Sequence, residues 1–173
     1  RIARKTLAQL GLLEGIKHHA EGFGFDKDAI HRNFDSAALY FWYRVSPDWI
    51  IPDDLVGLVT PGNPPAELPG MVTTKWDGSG RLLYLKAVPS GVQTSSGSTA
   101  ELWKRLFAAA GLHLAEFTPI HSDWIAAPGW DERSTWTGTY PDAKRTAVRV
   151  EAAAWRGSAV YFEVLTPRMI ARR

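Results

Sequence analysis

The sequence predicts an α+β protein made of two tandem αβββ units, in which each antiparallel sheet packs against one helix. Three observations lead to this fold class. A helical stretch followed by three strand-like runs occurs twice, short turns join the last two runs of each set, and the sets end in the similar sequences AVP (87–89) and LTP (165–167). The units span 1–89 and 99–173 with 90–98 as a linker, although one compact domain is the alternative.

In the first unit, the helix is predicted over 3–20, where Leu10, Leu13 and Ile16 recur every three residues and lie on one face. Gly22 and Gly24 are expected to end it. Strands follow over 37–45, 71–76 and 81–88. The sequence DGSG (77–80) is typical of a tight turn and predicts a hairpin of the last two strands, with a positive φ at Gly78.

In the second unit, Ser98 and Glu101 form a capping-box pattern at the start of a helix, and Gly111 is placed to end it. The predicted apolar face of this helix consists of Leu102, Trp103, Leu106, Phe107 and Ala110. Strands are predicted over 134–140, 147–154 and 158–165, with a turn at Arg156-Gly157 between the last two.

Composition excludes several classes of protein. The 173 residues contain no Cys, so disulfides, thiolate zinc sites, iron–sulfur clusters and cysteine nucleophiles are excluded. Six of the 20 basic residues lie at 1–5 and 168–173, and without them 14 basic residues face 18 acidic ones, which argues against nucleic-acid binding. The sequence contains no run of 18 apolar residues, so we expect no membrane-spanning segment within it. It has neither a starting Met nor a signal-peptide pattern, so we expect it to be part of a larger protein.

No catalytic constellation is recognisable. The tripeptide His31-Arg32-Asn33 has asparagine where the catalytic loop of protein kinases has its aspartate, and no Asp-Phe-Gly follows. The five histidines match no zinc-ligand spacing. We therefore expect no catalytic residue, no metal site and no cofactor.

Aromatic residues in two loops are the candidate binding site. The loops over 47–69 and 118–131 combine indole rings with carboxylates, which suits a small polar or cationic ligand. The alternative is that the indoles cover the ends of the sheets. The candidate ligand-binding residues are Trp49, His121, Asp123, Trp124, Trp130 and Asp131.

Several ordered segments resemble the non-catalytic region of large bacterial serine/threonine protein kinases, which follows the kinase domain among membrane segments. The resemblance covers about residues 20–167. It is carried by YFWYRVSP (40–47), PGMV (69–72), GRLL (80–83), AVP (87–89), LFAAAGL (106–112), FTP (117–119), WTGT (136–139) and VEAAAWRG (150–157).

The resemblance implies a membrane-bound parent kinase in which this portion is a sensory or ligand-binding module, exposed on the periplasmic or extracytoplasmic side. It transfers no functional residues. Its partner would be an unknown small ligand or protein, and only flanking segments would enter the membrane. The alternative is a structural or dimerisation module, a homodimer without a ligand. Basic residues beside membrane segments usually mark the cytoplasmic face, which points against the extracytoplasmic side.

Overall fold

The computed structural model describes residues 1–25, 39–91, 98–121, 129–141 and 145–172. The first half contains helix α1 (Ile2–Gln9) and strands β1 (His18–Phe25), β2 (Leu39–Ser46), β3 (Val72–Asp77) and β4 (Leu82–Ala87). The second half contains helix α2 (Thr99–Ala109), a 3-10 turn (Leu114–Glu116), and strands β5 (Thr118–Pro119), β6 (Glu132–Thr139), β7 (Ala147–Trp155) and β8 (Ser158–Leu165). A short helix, α3 (Pro167–Ile170), follows β8.

The predicted fold class is wrong, because the strands form one antiparallel sheet of eight rather than two separate sheets. The strand order is β1-β2-β3-β4-β8-β7-β6-β5, and each half supplies four strands. The last strands of the two halves pair with each other, with Leu85 opposite Phe162. Two separate units would each leave β4 or β8 as an edge with unpaired amides and carbonyls, and their pairing satisfies both edges.

The predicted helix over 3–20 is also wrong beyond its first turns. Helix α1 ends at Gln9, and Gly11 and Gly15 adopt left-handed backbone with φ of 73° and 71°. Glycine adopts this conformation without the penalty that a side chain would impose. The chain therefore turns back, and His18–Phe25 becomes the edge strand β1, paired with β2 along its whole length.

The predicted β3–β4 hairpin is confirmed, but its left-handed residue is Gly80, with φ of 79°, rather than Gly78. Asp77 organises the turn: one carboxylate oxygen accepts the amides of Ser79 and Arg81 at 2.9 and 2.8 Å, and the other accepts Nε of Arg81 at 2.8 Å. A methyl group on Gly80 would lie 2.9 Å from Cδ1 of Ile2.

We expect Gly80→Ala to lower the free energy of unfolding by about 1–2 kcal/mol, because it combines a left-handed backbone with a crowded Cβ. The control is Gly78→Ala in the same turn, which we expect to change stability by less than about 0.5 kcal/mol. Urea unfolding followed by tryptophan fluorescence measures both variants. Equal losses in the two variants would contradict the assignment of the left-handed position to Gly80.

The predicted second-half helix is confirmed. Ser98 accepts the Glu101 amide at 3.3 Å, and all five residues of the predicted apolar face are buried. Both α1 and α2 contribute to one hydrophobic core on one face of the sheet, which we call the helix face. The Phe107 ring contacts Trp136 and Phe162 edge to face, with 5.1 and 6.0 Å between ring centroids. The opposite face of the sheet carries polar side chains and is called the loop face.

Candidate functional site

A row of polar side chains crosses the loop face at the centre of the sheet. Strand register places Arg44 of β2 opposite Thr73 of β3, Thr73 opposite Lys86 of β4, and Lys86 opposite Tyr161 of β8. Directly paired residues of an antiparallel sheet point to the same face. The row therefore connects the two halves of the chain across the β4–β8 pairing.

Arg44 fastens the 47–69 loop onto this face. Its side chain has no solvent-exposed surface, and its two terminal nitrogens donate to the carbonyls of Thr60 and Pro64 at 2.8 and 2.7 Å. Burial lowers the pKa of the Arg44 guanidinium. No acidic side chain pairs with it among the described residues, so the positive charge is balanced by carbonyl dipoles alone.

The loop is also ordered by its own hydrogen bonds. The Asn63 side chain donates to the Asp54 carboxylate at 2.7 Å and accepts the Asp53 amide at 3.1 Å. The Thr60 hydroxyl accepts the Asn63 amide at 3.0 Å. These contacts give the loop a defined conformation before any partner binds, so it can form one wall of a binding site.

Two polar atoms of the row are buried without a partner in the described part of the chain. They are Oγ1 of Thr73, whose residue is 3% exposed, and Nε of Arg44. A buried polar atom that lacks a hydrogen bond costs about 1–3 kcal/mol. Both residues belong to the same row as Lys86, so this part of the loop face contains several polar groups that have no hydrogen-bond partner among the described residues.

A shallow depression of about 290 Å³ opens where β4 meets β8, and we call it the seam depression. Lys86 and Tyr161 stand on its floor, Ala66 and Glu67 of the loop form one wall, and the other lining residues are Ala87, Val88, Pro89 and Val160. Within the described ranges, the half-buried Lys86 makes no ion pair or hydrogen bond, and the exposed Glu67 makes none either. The Lys86 ammonium is thus a candidate ligand-binding group.

Aromatic and acidic groups border the depression. The rings of Tyr84 and Tyr161 meet edge to face with 5.8 Å between centroids, and the Tyr161 hydroxyl donates a hydrogen bond to Glu163. On the far side of Tyr84, the Lys75 ammonium lies 5.3 Å from the ring centroid. Glu163 lies opposite Glu151 of β7, which is 1% exposed and 3.6 Å from Arg149. This face is therefore basic on the β3–β4 side of the seam, whereas acidic and basic side chains are mixed on the β8–β7 side.

The structure places the residues predicted for binding at different positions. Trp49 is 69% exposed and stacks on His18 of β1 with 3.9 Å between ring centroids. Trp130 is half-buried, and its ring packs against Ala153 of β7 and Val160 of β8, which are four to five strands from β1, or about 19–24 Å at ordinary strand spacing. These two indoles do not share one pocket. His121 is exposed immediately after β5, and Asp123 and Trp124 lie outside the described residues.

Trp130 nevertheless lies beside the seam depression, whereas Asp131 contacts the β7–β8 turn. Trp130 packs in a small apolar cluster with Val160 and Tyr161, which line the depression. The Asp131 carboxylate accepts the Arg156 amide at 2.8 Å and so supports the β7–β8 turn. Segments of both predicted loops therefore border one site, although the groups that could bind a ligand there are on strands.

Sequence reasoning missed Arg44, Thr73 and Lys86 as site residues. A signal for Arg44 was present, because it is the one charged residue in the aromatic and aliphatic strand YFWYRVS (40–46). A charge within a buried strand needs buried hydrogen-bond acceptors, which predicts a covering segment. Thr73 and Lys86 gave no such signal, since their position depends on the pairing of three strands.

Neither a group of metal ligands among the described residues nor a similar protein indicates a function for this chain. Within the described residues, no three His, Cys, Asp or Glu side chains are grouped as metal ligands would be. No helix in the described part of the chain has the length and apolar character needed to cross a membrane. The sequence matches no family model, and no curated protein or solved structure matches it.

Proposed function

We propose that this chain is a non-catalytic ligand-binding module and that it takes a small anionic molecule in the seam depression. The observation that carries the proposal is Lys86, a half-buried cation on the floor of that depression, with no acidic partner among the described residues. The lining also includes the aromatic ring of Tyr161, the apolar side chains of Val88 and Val160, and one carboxylate, Glu67, which forms no ion pair with Lys86. Apolar walls with a few convergent polar groups are typical of small-molecule sites, and the volume of about 290 Å³ is just below their usual range of about 300–1,000 Å³.

The position of the depression supports a sensory role. β4 and β8 are the only described strands through which the two halves of the sheet pair, and their register extends over three residues of each strand, 84–86 and 161–163. A ligand on Lys86 and Tyr161 touches both halves at once. The ligand would stabilise the arrangement of the two halves to which it binds more tightly. The resulting shift in the populations of the two arrangements would transmit the binding event.

The wider context of the proposal rests on the sequence resemblance. We place the module in a membrane-bound bacterial serine/threonine protein kinase, on the extracytoplasmic side and outside the catalytic domain. In that context the ligand's effect on the seam would reach the kinase through flanking membrane segments. A kinase domain in the same polypeptide as this chain, with membrane segments between the two, is the observation that tests this context.

The test of the binding site is an NMR titration of the 173-residue chain with inorganic phosphate, succinate, citrate and the neutral analogue succinamide. We expect at least one anion to shift resonances around Lys86, and succinamide to shift none. Lys86→Met should weaken that binding by at least about tenfold, because a hydrogen bond to a charged group is worth about 1.5–3 kcal/mol.

The matched control is Lys104→Met on the exposed face of α2, a lysine that pairs only weakly with Glu101 at 3.4 Å. It should leave the affinity unchanged. If no anion of the panel shifts resonances near Lys86, or if both lysine variants weaken binding equally, the proposed site is wrong.

A further inference from the structure

One end of the sheet carries a concentration of exposed positive charge. The strand ends at Phe25, Leu39, Leu165 and Ala147 all lie at this end, as the register pairs show. Helix α1 begins there, since Ile2 packs on the β3–β4 turn at Gly80. Exposed basic residues at this end include Arg1, Arg4, Lys5, Arg145 and Arg168.

Acidic residues barely offset this charge. Within the described ranges, the acidic side chains at this end are the exposed Glu116 and Asp77, which is 5% exposed and already paired with Arg81 at 2.8 Å. We call this surface the basic end.

The opposite end of the sheet has the reverse charge. Its exposed acidic residues are Asp48, Asp53, Asp54, Glu67, Glu101, Asp131 and Glu132. The exposed basic residues on that side, within the described ranges, are Lys17, Lys104 and Arg156. The molecule is therefore polarised along its strands, and an anionic surface would attract one end while repelling the other. This charge distribution would therefore both attract the protein to an anionic surface and orient it there.

Exposed apolar side chains accompany the cations at the basic end. Ile2 is 58% exposed, Phe25 65% and Leu39 39%, and Phe25 and Leu39 are direct neighbours on paired strands. Nucleic acid recognition would use the cations and leave these side chains in water. A lipid surface uses both, because basic residues bind headgroups while aromatic and aliphatic residues enter the boundary with the acyl chains.

We propose that the basic end docks directly on an anionic lipid bilayer, with the acidic end and the 47–69 loop held away from it. The inference stands on charge and exposed apolar area, and it does not depend on ligand binding at Lys86. It adds to the proposed function a second membrane contact, made by the folded module itself.

The experiment is co-sedimentation of the 173-residue chain with vesicles of phosphatidylcholine alone or with 30% phosphatidylglycerol. We expect binding to the anionic vesicles at 50 mM NaCl and a large decrease at 300 mM, because salt screens the attraction. Each basic residue near the surface contributes about 1 kcal/mol, so Lys5→Gln with Arg168→Gln should weaken binding by about 25-fold.

A control variant and a second test variant distinguish docking through the basic end from nonspecific adsorption to the vesicles. Lys17→Gln with Lys104→Gln removes the same two positive charges from outside the basic end and should change binding by less than about twofold. Phe25→Ala should weaken binding at both salt concentrations, since the apolar contact is not screened. Circular dichroism establishes that each variant is folded.

Several results would overturn the inference. They are equal binding to neutral and anionic vesicles, absence of binding at 50 mM NaCl, and binding of duplex DNA with an affinity similar to that for vesicles. Light scattering supplies a further one: a dimer in solution that Phe25→Ala dissociates would assign the apolar residues to self-association.

Discussion

Phe107→Ala is expected to lower the free energy of unfolding by about 3–5 kcal/mol, because it removes a large ring from the centre of the core. Phe107 is 1% exposed and contacts rings from three other segments: Phe117 before β5, Trp136 on β6 and Phe162 on β8. The cavity would separate α2 from the sheet on which it packs. Urea unfolding monitored by circular dichroism measures the loss.

Two companion variants keep this prediction testable if the alanine variant does not fold. Phe107→Leu retains most of the apolar volume and should cost less than about 2 kcal/mol. Lys104→Ala on the exposed face of the same helix should cost at most about 0.5 kcal/mol. A leucine variant as unstable as the alanine variant would mean that ring geometry rather than volume dominates at this position.

Arg44→Met is expected to cost about 2–3 kcal/mol, because two charge-assisted hydrogen bonds to carbonyls of the 47–69 loop are lost. Methionine fills much of the same space, so the loss reports mainly the bonds to Thr60 and Pro64. The 47–69 loop should also become a cleavage site in limited proteolysis, since Arg44 fastens it to the sheet. Urea unfolding and the rate of cleavage within 47–69 are the two measurements.

The conservative variant Arg44→Lys should restore about half of the lost stability. The lysine ammonium can donate to one of the two carbonyls, whereas the arginine guanidinium donates to both. Replacing a buried charge by an apolar residue sometimes stabilises a protein, since the cost of desolvation disappears. If Arg44→Met is as stable as the parent chain and resists cleavage equally, the hydrogen bonds to the loop do not exceed that cost, and the fastening role is wrong.

The anion-binding proposal and the two stability predictions concern different parts of the same seam. Arg44 holds the loop that carries Ala66 and Glu67 to the edge of the depression, whereas Phe107 supports Phe162 beneath the β4–β8 pairing. We therefore expect Arg44→Met to weaken anion binding as well as stability, while Lys86→Met should affect binding alone. That difference distinguishes a residue that shapes the site from one that contacts the ligand.

Local sequence patterns determined the elements whose stabilising contacts are near in the chain. The capping box at Ser98 and Glu101, the apolar face of α2 and the hairpin at 77–80 were all predictable, because each depends on residues within a few positions of one another. The run 158–165 was likewise a strand with the bounds that its pattern indicated. No part of these elements required knowledge of the partner strand.

The edge strand β1 was decided by the tertiary structure. Its sequence, HHAEGFGF, contains two glycines that weaken a strand considered alone. In the fold, the Trp42 ring of β2 lies over Gly22, so close that a Cβ there would be 2.7 Å from it, and the Tyr40 ring covers Gly24. The strand exists because its neighbour's aromatic rings replace the missing side chains, and that information lies some 20 residues away in the sequence.

The joining of the halves and the seam depression depend on contacts that are more distant still. Lys86 and Tyr161 become neighbours only when β4 pairs with β8, and the sequence of neither strand indicates that the other is its partner. Alternation of side chains fixed which residues share a face of one strand, whereas the strand order fixed which residues share a site. Local sequence patterns were thus sufficient to predict α2, the hairpin at 77–80 and β8, and they contain no recognisable catalytic motif. The tertiary structure alone brought Lys86 to the seam, because only long-range pairing removes the unsatisfied edges of the two half-sheets.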